Sequence, residues 1–439
     1  MNRALFGYYS LLALRSFRRN RVLTALMVLA IALGIGACMT TLTVFHVLSG
    51  DPIPGKSKRL FVVQLDPRPA ANRVPGEEPE RMLTRFDAEE LLRQKRARRQ
   101  AMMAGGNGIV HPDGRTLKPF SVSMHFTSSD FFAMFEVPFR HGRGWSAGDD
   151  AARARVAVIA PELNEKLFGG ADSTGRELRI DGHAFQVVGV LDAWAPQPHF
   201  YNLWMRSFGD TEQVFVPFQT AVDLHLNRSG LMNCFSHQPV SGDYTALNKP
   251  CSWVQYWVEL ERPAQAGEFK AYLDQYSAQQ RDAGRFERPP NTRLRNVMQW
   301  LDHHRIVPGD VRLQLWLAFG FLLVCLLNTV GLLLAKFLRR SGEIGVRRAL
   351  GATRAEIFKQ CLMEAGAIGL AGGLVGLGFA LIGLWAVRQR PTGYAALAHI
   401  DLPMLALTFV LAVAASMLAG ALPAWRAMQV TPAIQLKSQ

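Results

Sequence analysis

VLTALMVLAIALGIGACMTTLTVFHVL, residues Val22–Leu48, is the first of four apolar runs in this chain and stands apart from the others. The remaining three, Leu313–Leu334, Leu362–Val387 and Leu402–Trp425, crowd together after the polar block 49–312. A bilayer core about 30 Å thick is crossed by about 20 helical residues, so each run is long enough to span it. The first run is too long for a cleaved signal peptide and lacks a small-residue cleavage site, so it reads as a retained anchor. The chain thus reads as an α-helical membrane protein with four transmembrane helices in a 1+3 layout. A large α+β extracytoplasmic domain of two subdomains fills the gap.

Charge gives the orientation. The formal charge is +14, and a basic balance fits nucleic acid, anionic lipid or membrane topology, so its placement decides. Arg3, Arg15, Arg18, Arg19 and Arg21 precede the first run with no acid among them. Lys336, Arg339, Arg340, Arg347, Arg348, Arg354 and Lys359 follow the second run against only Glu343 and Glu356. The large block is left nearly neutral, as the positive-inside rule requires. Both termini and the 336–360 segment are therefore expected in the cytoplasm. The expected segments are an amphipathic cytoplasmic helix over 1–21, spans over 22–48, 313–335, 361–387 and 402–425, the outer block 49–312, a short outer turn over 388–401 and a cytoplasmic tail over 426–439. No basic patch with interleaved aromatics stands on the outer block, so nucleic acid is not an expected partner.

Within that block, Leu60–Leu65 and Trp253–Leu260 alternate like strands, and 86–99 and 264–279 look helical. These predict an α/β subdomain over about 57–124 and 251–310. Short strands at 156–159, 177–180, 184–190 and 214–217 predict a mainly β subdomain over about 125–250, with a hairpin turn at Asp181-Gly182. Cys234 and Cys251 are the two cysteines of the block, and both a disulfide and a pair of buried thiols are compatible with the sequence.

Three catalytic look-alikes fail on context. Gly50–Ser57 fits G-x-x-x-x-G-K-S, but a membrane run precedes it, a strand follows, and Pro52 and Pro54 remove two N–H donors from any phosphate cradle. Ser146 in Gly144–Gly148 fits G-x-S-x-G without the strand and helix that a nucleophile elbow needs. His303-His304 are adjacent, which does not bring two rings to one ion. The sequence offers no catalytic centre and no metal or cofactor site. The four spans read as uncharged, which argues against an ion-driven pathway. Gly369, Gly372, Gly373 and Gly376 form small-xxx-small pairs suited to close helix packing, within one subunit or across a dimer. Asn328, midway along the second span, is expected to hydrogen-bond to another helix.

The segment between the second and third spans, SGEIGVRRALGATRAEIFK from Ser341 to Lys359, reads as a short amphipathic helix. Gly351 is its expected C-terminal stop and Thr353 the N-cap of the third membrane-associated helix. This segment closely resembles the E-I-G-x-R-[RK]-A-L-G-A signature of MacB/FtsX-type ABC transporter permeases. The end, Pro423-Ala-Trp-Arg-Ala-Met-Gln-Val-Thr-Pro-Ala-Ile-Gln-Leu436, is similar to that family's terminal pattern. In the outer block, the runs Asp130–Phe135, Gly142-Arg143, Asp149-Asp150, Val156–Ile159, Leu167–Gly170, Gly175-Arg176 and Phe185–Val190 resemble the MacB periplasmic core domain.

The resemblance implies a bacterial inner-membrane permease that dimerises with the same or a related chain and relays ATP-driven motion across the bilayer. Glu343, Ile344, Gly345, Val346, Arg347, Arg348, Leu350 and Gly351 would form the surface that couples to a cytoplasmic ABC ATPase subunit. ATP and Mg would be held by that ATPase, with no cofactor on this chain. MacB carries its ATPase ahead of the first helix; here residues 1–21 precede it, which implies an ATPase on a separate chain. The expected function is export of a peptide, drug or lipid-like substrate from the outer side, with a periplasmic adaptor and an outer-membrane channel as further partners. An FtsX-like signalling subunit that activates a cell-envelope enzyme, and a lipoprotein-releasing permease, are the alternatives.

Overall fold

The computed structural model describes residues 21–71, 73–112, 117–203, 207–235, 241–390, 393–400 and 402–429. The amphipathic segment expected before Arg21 and the tail beyond Gln429 lie outside the described residues. In chain order, helix α1 (Arg21–Ser49) is followed by β1 (Leu60–Gln64), β2 (Leu83–Thr84), α2 (Arg85–Gln94), β3 (Arg99–Val110) and β4 (Phe120–Thr127). Then come α3 (Asp130–Met134), β5 (Phe139–Gly142), α4 (Ala147–Ala151), β6 (Val156–Ile159), α5 (Pro161–Phe168), β7 (Glu177–Ile180) and β8 (His183–Leu191). The domain continues through β9 (Val214–Pro217), α6 (Phe218–Asp223), β10 (Arg228–Ser229), β11 (Asn233–Cys234) and β12 (Cys251–Glu259). It ends with α7 (Ala266–Asp282), β13 (Arg293–Asn296) and α8 (Val297–His303). Last are α9 (Gly309–Leu338), α10 (Ser341–Ala349), α11 (Arg354–Arg388) and α12 (Leu402–Met428). Two compact units result: Gly50–Ile306, and the residues up to Ser49 together with those from Val307 onward.

The second unit is a bundle of α1, α9, α11 and α12, each long and apolar enough to cross a membrane. Helix α11 is the hub, packing on both α1 and α12, while α9 also packs on both. Lipid tails are as apolar as leucine, so association rests on close packing rather than on water exclusion. The α11 glycines supply it within this one chain. A Cβ on Gly372 would lie 2.7 Å from Ile31 Cγ2 of α1, and one on Gly376 3.0 Å from the Ala32 carbonyl oxygen. On the adjacent face, a Cβ on Gly369 or Gly373 would meet Ser416 or Ala412 of α12 at 2.6 and 2.9 Å. Within this one chain the contact expected for Asn328 is not formed among the described residues. The buried stripe of α9 runs Ala318, Leu322, Cys325, Thr329, Leu333, and Asn328 stands one step off it, exposed and with no hydrogen bond among the described residues. Thr329 holds the buried polar position instead and returns its hydroxyl to the Cys325 carbonyl at 2.8 Å.

The large domain is built on one connected mixed sheet, whose main path runs β13-β1-β12-β3-β4-β9-β6-β8-β5. Its two faces carry separate cores, and strand residues alternate between them as the two-residue pleat dictates. In β1, Phe61 and Val63 face one core and Leu60 and Val62 the other. Every residue of β12 is buried, as both faces of this interior strand are covered. The expected subdomain boundary near residue 125 falls inside β4, which pairs with β3 over Phe120–Thr127 and with β9 over Met124–Thr127. The sheet therefore crosses that boundary without a break. The helix expected over 86–99 ends at Gln94, where Lys95 takes a left-handed conformation at φ 49°, and Arg99 already belongs to β3. The Asp181-Gly182 turn does join β7 to β8, with both residues at positive φ (47° and 83°) as a two-residue hairpin loop requires.

Candidate functional site

Helix α10 fills the link between the second and third spanning helices. Its capping follows from local sequence. Gly351 takes φ +100°, a conformation costly for other residues, and its N–H closes on the Arg348 carbonyl at 3.2 Å. Two residues on, Thr353 caps α11 reciprocally with Glu356: the Glu356 N–H donates to Thr353 Oγ1 and the Thr353 N–H to the Glu356 carboxylate. Helix α11 thereby starts at Arg354, well before the apolar run at Leu362. Little of the 336–360 segment is loop: only residues 339–340 and 350–353 fall outside helices.

The expected coupling residues divide into three faces. Ile344 and Gly345 are buried, with Ile344 in the bundle core beside Ile357 and Cys361. On the flank, Arg347 donates to Glu343 Oε1 at 2.7 Å and to Gln360 Oε1 of α11 at 2.9 Å, while Arg348 reaches the Met428 carbonyl of α12 at 3.4 Å. Val346, Ala349, Leu350 and Gly351 face outward, Val346 at 51% and Leu350 at 84% exposure. One edge of this short helix is locked into the bundle and the other presents apolar side chains.

Beneath it lies a feature that hydropathy conceals. The third span is not uncharged: Glu364 sits inside Leu362–Val387, 5% exposed. Its carboxylate pairs with Lys336 Nζ at 2.6 Å and with Arg340 Nη1 at 3.2 Å. Lys336, fully buried, also reaches Thr24 Oγ1 of α1 at 3.5 Å. Lys336 lies in the last turn of α9 and Arg340 precedes α10, so the short link between the two helices brings both cations to one carboxylate. The signal was available, since Lys336, Arg340 and Glu364 stand at one membrane face in the sequence. What was missing was the buried pairing that lets a carboxylate enter a span.

The look-alike motifs in the large domain have structural duties. Lys56 is buried and donates to the carbonyls of Ala133 and Met134 at 2.7 and 3.2 Å, with Glu259 at 3.8 Å. Its ammonium is thus turned into the domain, and β1 rather than a helix follows. Ser146 N-caps α4, and its hydroxyl donates to Asp149 Oδ2 at 2.7 Å. The hydrogen bonds to Ser146 hold the Asp149 carboxyl below its ordinary value. His304 stacks edge-on against Trp300, 4.0 Å between centroids, and burial first, then the charge of His303, pushes its pKa down to about 4. Among the described residues no group of three or more metal-ligating side chains converges. Cys234 and Cys251, register partners in β11 and β12, are joined by a disulfide.

With these features placed, comparison with known proteins identifies the class. The model for the MacB-like periplasmic core domain matches residues 24–276, and the model for the FtsX-like permease C-terminal region matches residues 315–432. The chain belongs to the MacB/FtsX-type ABC transporter permeases, with four spanning helices and a large extracytoplasmic domain. Relatives include the pyoverdine export ATP-binding/permease protein PvdT of Pseudomonas entomophila, 26% identical over 96% of this chain and 58% of the relative. The macrolide export ATP-binding/permease protein MacB of an Azoarcus species is 24% identical over 97% of this chain and 59% of the relative. The chain thus spans somewhat under three fifths of their length. Among solved structures, the periplasmic region of MacB from Actinobacillus actinomycetemcomitans aligns with 58% of this chain and 97% of its own, at 13% identity and a TM-score of 0.37.

Proposed function

We propose that this chain is the permease of an ABC exporter that works by mechanotransmission, moved by a cytoplasmic ABC ATPase that docks on the outward edge of α10. The observation that carries the reading is the division of that helix: Ile344 and Arg347 tie it to the bundle, while Val346 and Leu350 stay apolar and exposed. An apolar patch held rigidly between two spanning helices is suited to receive a push and pass it on. The basic flanks support a cytoplasmic side for this helix and both termini, with the large domain outside. A second permease copy, a periplasmic adaptor and an outer-membrane channel complete the proposed assembly. The substrate class is an amphiphilic peptide, drug or lipid-like molecule taken from the outer side. Export of a macrolide or of pyoverdine, named for the relatives, is the nearest guide.

The test is Leu350→Asp in the full chain, assayed for ATPase retained on purification in mild detergent and for efflux of a macrolide probe from cells. Leu350 is exposed, so folding should survive while the retained ATPase and the efflux both fall. Undiminished retention and efflux would overturn the docking assignment. A cell-envelope hydrolase or an acylated protein retained in place of an adaptor would turn the reading toward signalling or lipoprotein release.

A further inference from the structure

The ion cluster at the cytoplasmic end of the bundle is built in a way that stability alone does not explain. Two cations share one carboxylate, and among the described residues Arg340 Nε is buried without a hydrogen-bond partner. Replacing a buried ion triad by apolar side chains often leaves a fold equally or more stable, so retaining one calls for another reason. The best-attested reason is register. Apolar side chains pack acceptably at several axial offsets, whereas a carboxylate bonded to two cations fixes one.

Position gives that register a purpose. Lys336 lies in the last turn of α9, Arg340 is the residue from which α10 starts, and Glu364 lies on α11 beyond its first turns. Thr24, within reach of the same ammonium, belongs to α1. Phe337, Ile344, Ile357 and Cys361, buried in the bundle core, line a small cavity beside Arg340 and Glu364.

We infer that Glu364, with Lys336 and Arg340, is a register pin that makes α10 and the inner ends of α9 and α11 move as one body, so that a push on α10 shifts the spanning helices rather than tilting α10 alone. This rests on the docking of an ATPase at α10 proposed above. Glu364 is a positioning residue: it touches neither nucleotide nor substrate. Among the described residues, helix α12 meets α10 through the long bond from Arg348 to the Met428 carbonyl.

The experiment compares the full chain with the triple variant Lys336→Met, Arg340→Met, Glu364→Leu. Each is reconstituted in lipid nanodiscs with the ATPase that co-purifies, and amide hydrogen exchange is followed before and after trapping with ADP and vanadate. Thermal unfolding of the triple variant should match the wild type, because apolar side chains replace the whole cluster. In the wild type, trapping should change exchange both in α10 and in residues 50–306. In the triple variant the α10 change should persist and the change in 50–306 should be lost. If both changes persist in the triple variant, the cluster is a structural filler and the inference is overturned. If α10 fails to respond even in the wild type, the docking reading falls and takes the pin with it.

Discussion

Glu364 shows how one side chain can carry more consequence than the apolar run around it. Glu364→Gln keeps the shape but leaves the fully buried Lys336 and the partly buried Arg340 without their shared anion, and breaking a buried pair costs about 3–5 kcal/mol. The single change should therefore lower the thermal midpoint of the purified chain clearly, and by more than the all-apolar triple. A midpoint equal to wild type would mean that the cations find water or lipid headgroups instead. Glu212 makes a separate prediction for the large domain. Burial alone would raise its carboxyl, but the His125 ring 3.6 Å away and the Asn202 amide outweigh that and hold it at about 2, against an ordinary 4.5. A depressed carboxyl contributes stability fully above its ordinary value and loses it as pH falls through the folded one. Stability should thus decline between pH 4.5 and about 2, and Glu212→Gln should flatten that decline in a series of thermal scans. Lys56, the look-alike phosphate ligand, should behave as a core residue: Lys56→Met would strand the buried Met134 carbonyl at a cost of about 1–3 kcal/mol and leave nucleotide binding by the assembly unchanged.

At the scale of elements, what could be read from sequence followed the strength of periodicity. The four spans were legible because a run of apolar residues has no other stable fate in a membrane protein. The cap at Thr353 and the stop at Gly351 were legible because each satisfies orphan backbone groups by local chemistry. Strand β3 was not. Its Gly105, Gly106 and Gly108 dilute the strand pattern, yet a Cβ at Gly106 would sit 2.2 Å from the Phe126 ring of the neighbouring strand, so the glycine makes room for an aromatic. Only the partner strand reveals that reason. Asn328 stands one residue off the buried stripe of α9, a phase that hydropathy averaged over a span does not resolve. The packing of α11 gives a further prediction. Gly372→Val would drive a methyl-bearing carbon into Ile31, forcing α1 and α11 apart at a cost of about 1–3 kcal/mol. Gly378, where an added Cβ would meet nothing within 4 Å, should accept alanine without loss in the same unfolding assay.

For the whole molecule, the disulfide and the coupling helix act on different units. Closing a loop across a sequence separation of 17 should be worth about 3 kcal/mol to the large domain, so reductant should lower its unfolding temperature and leave the helical bundle unaffected. The coupling helix makes the claim on which the functional account stands. A photo-reactive residue in place of Leu350 in native membranes, with Val375 of α11 as the control position, measures directly what that surface touches. The account predicts a cross-link from position 350 to an ABC ATPase and none from position 375. Equal labelling of the ATPase from both positions, or none from 350 in an assembly that still retains the ATPase, would contradict it.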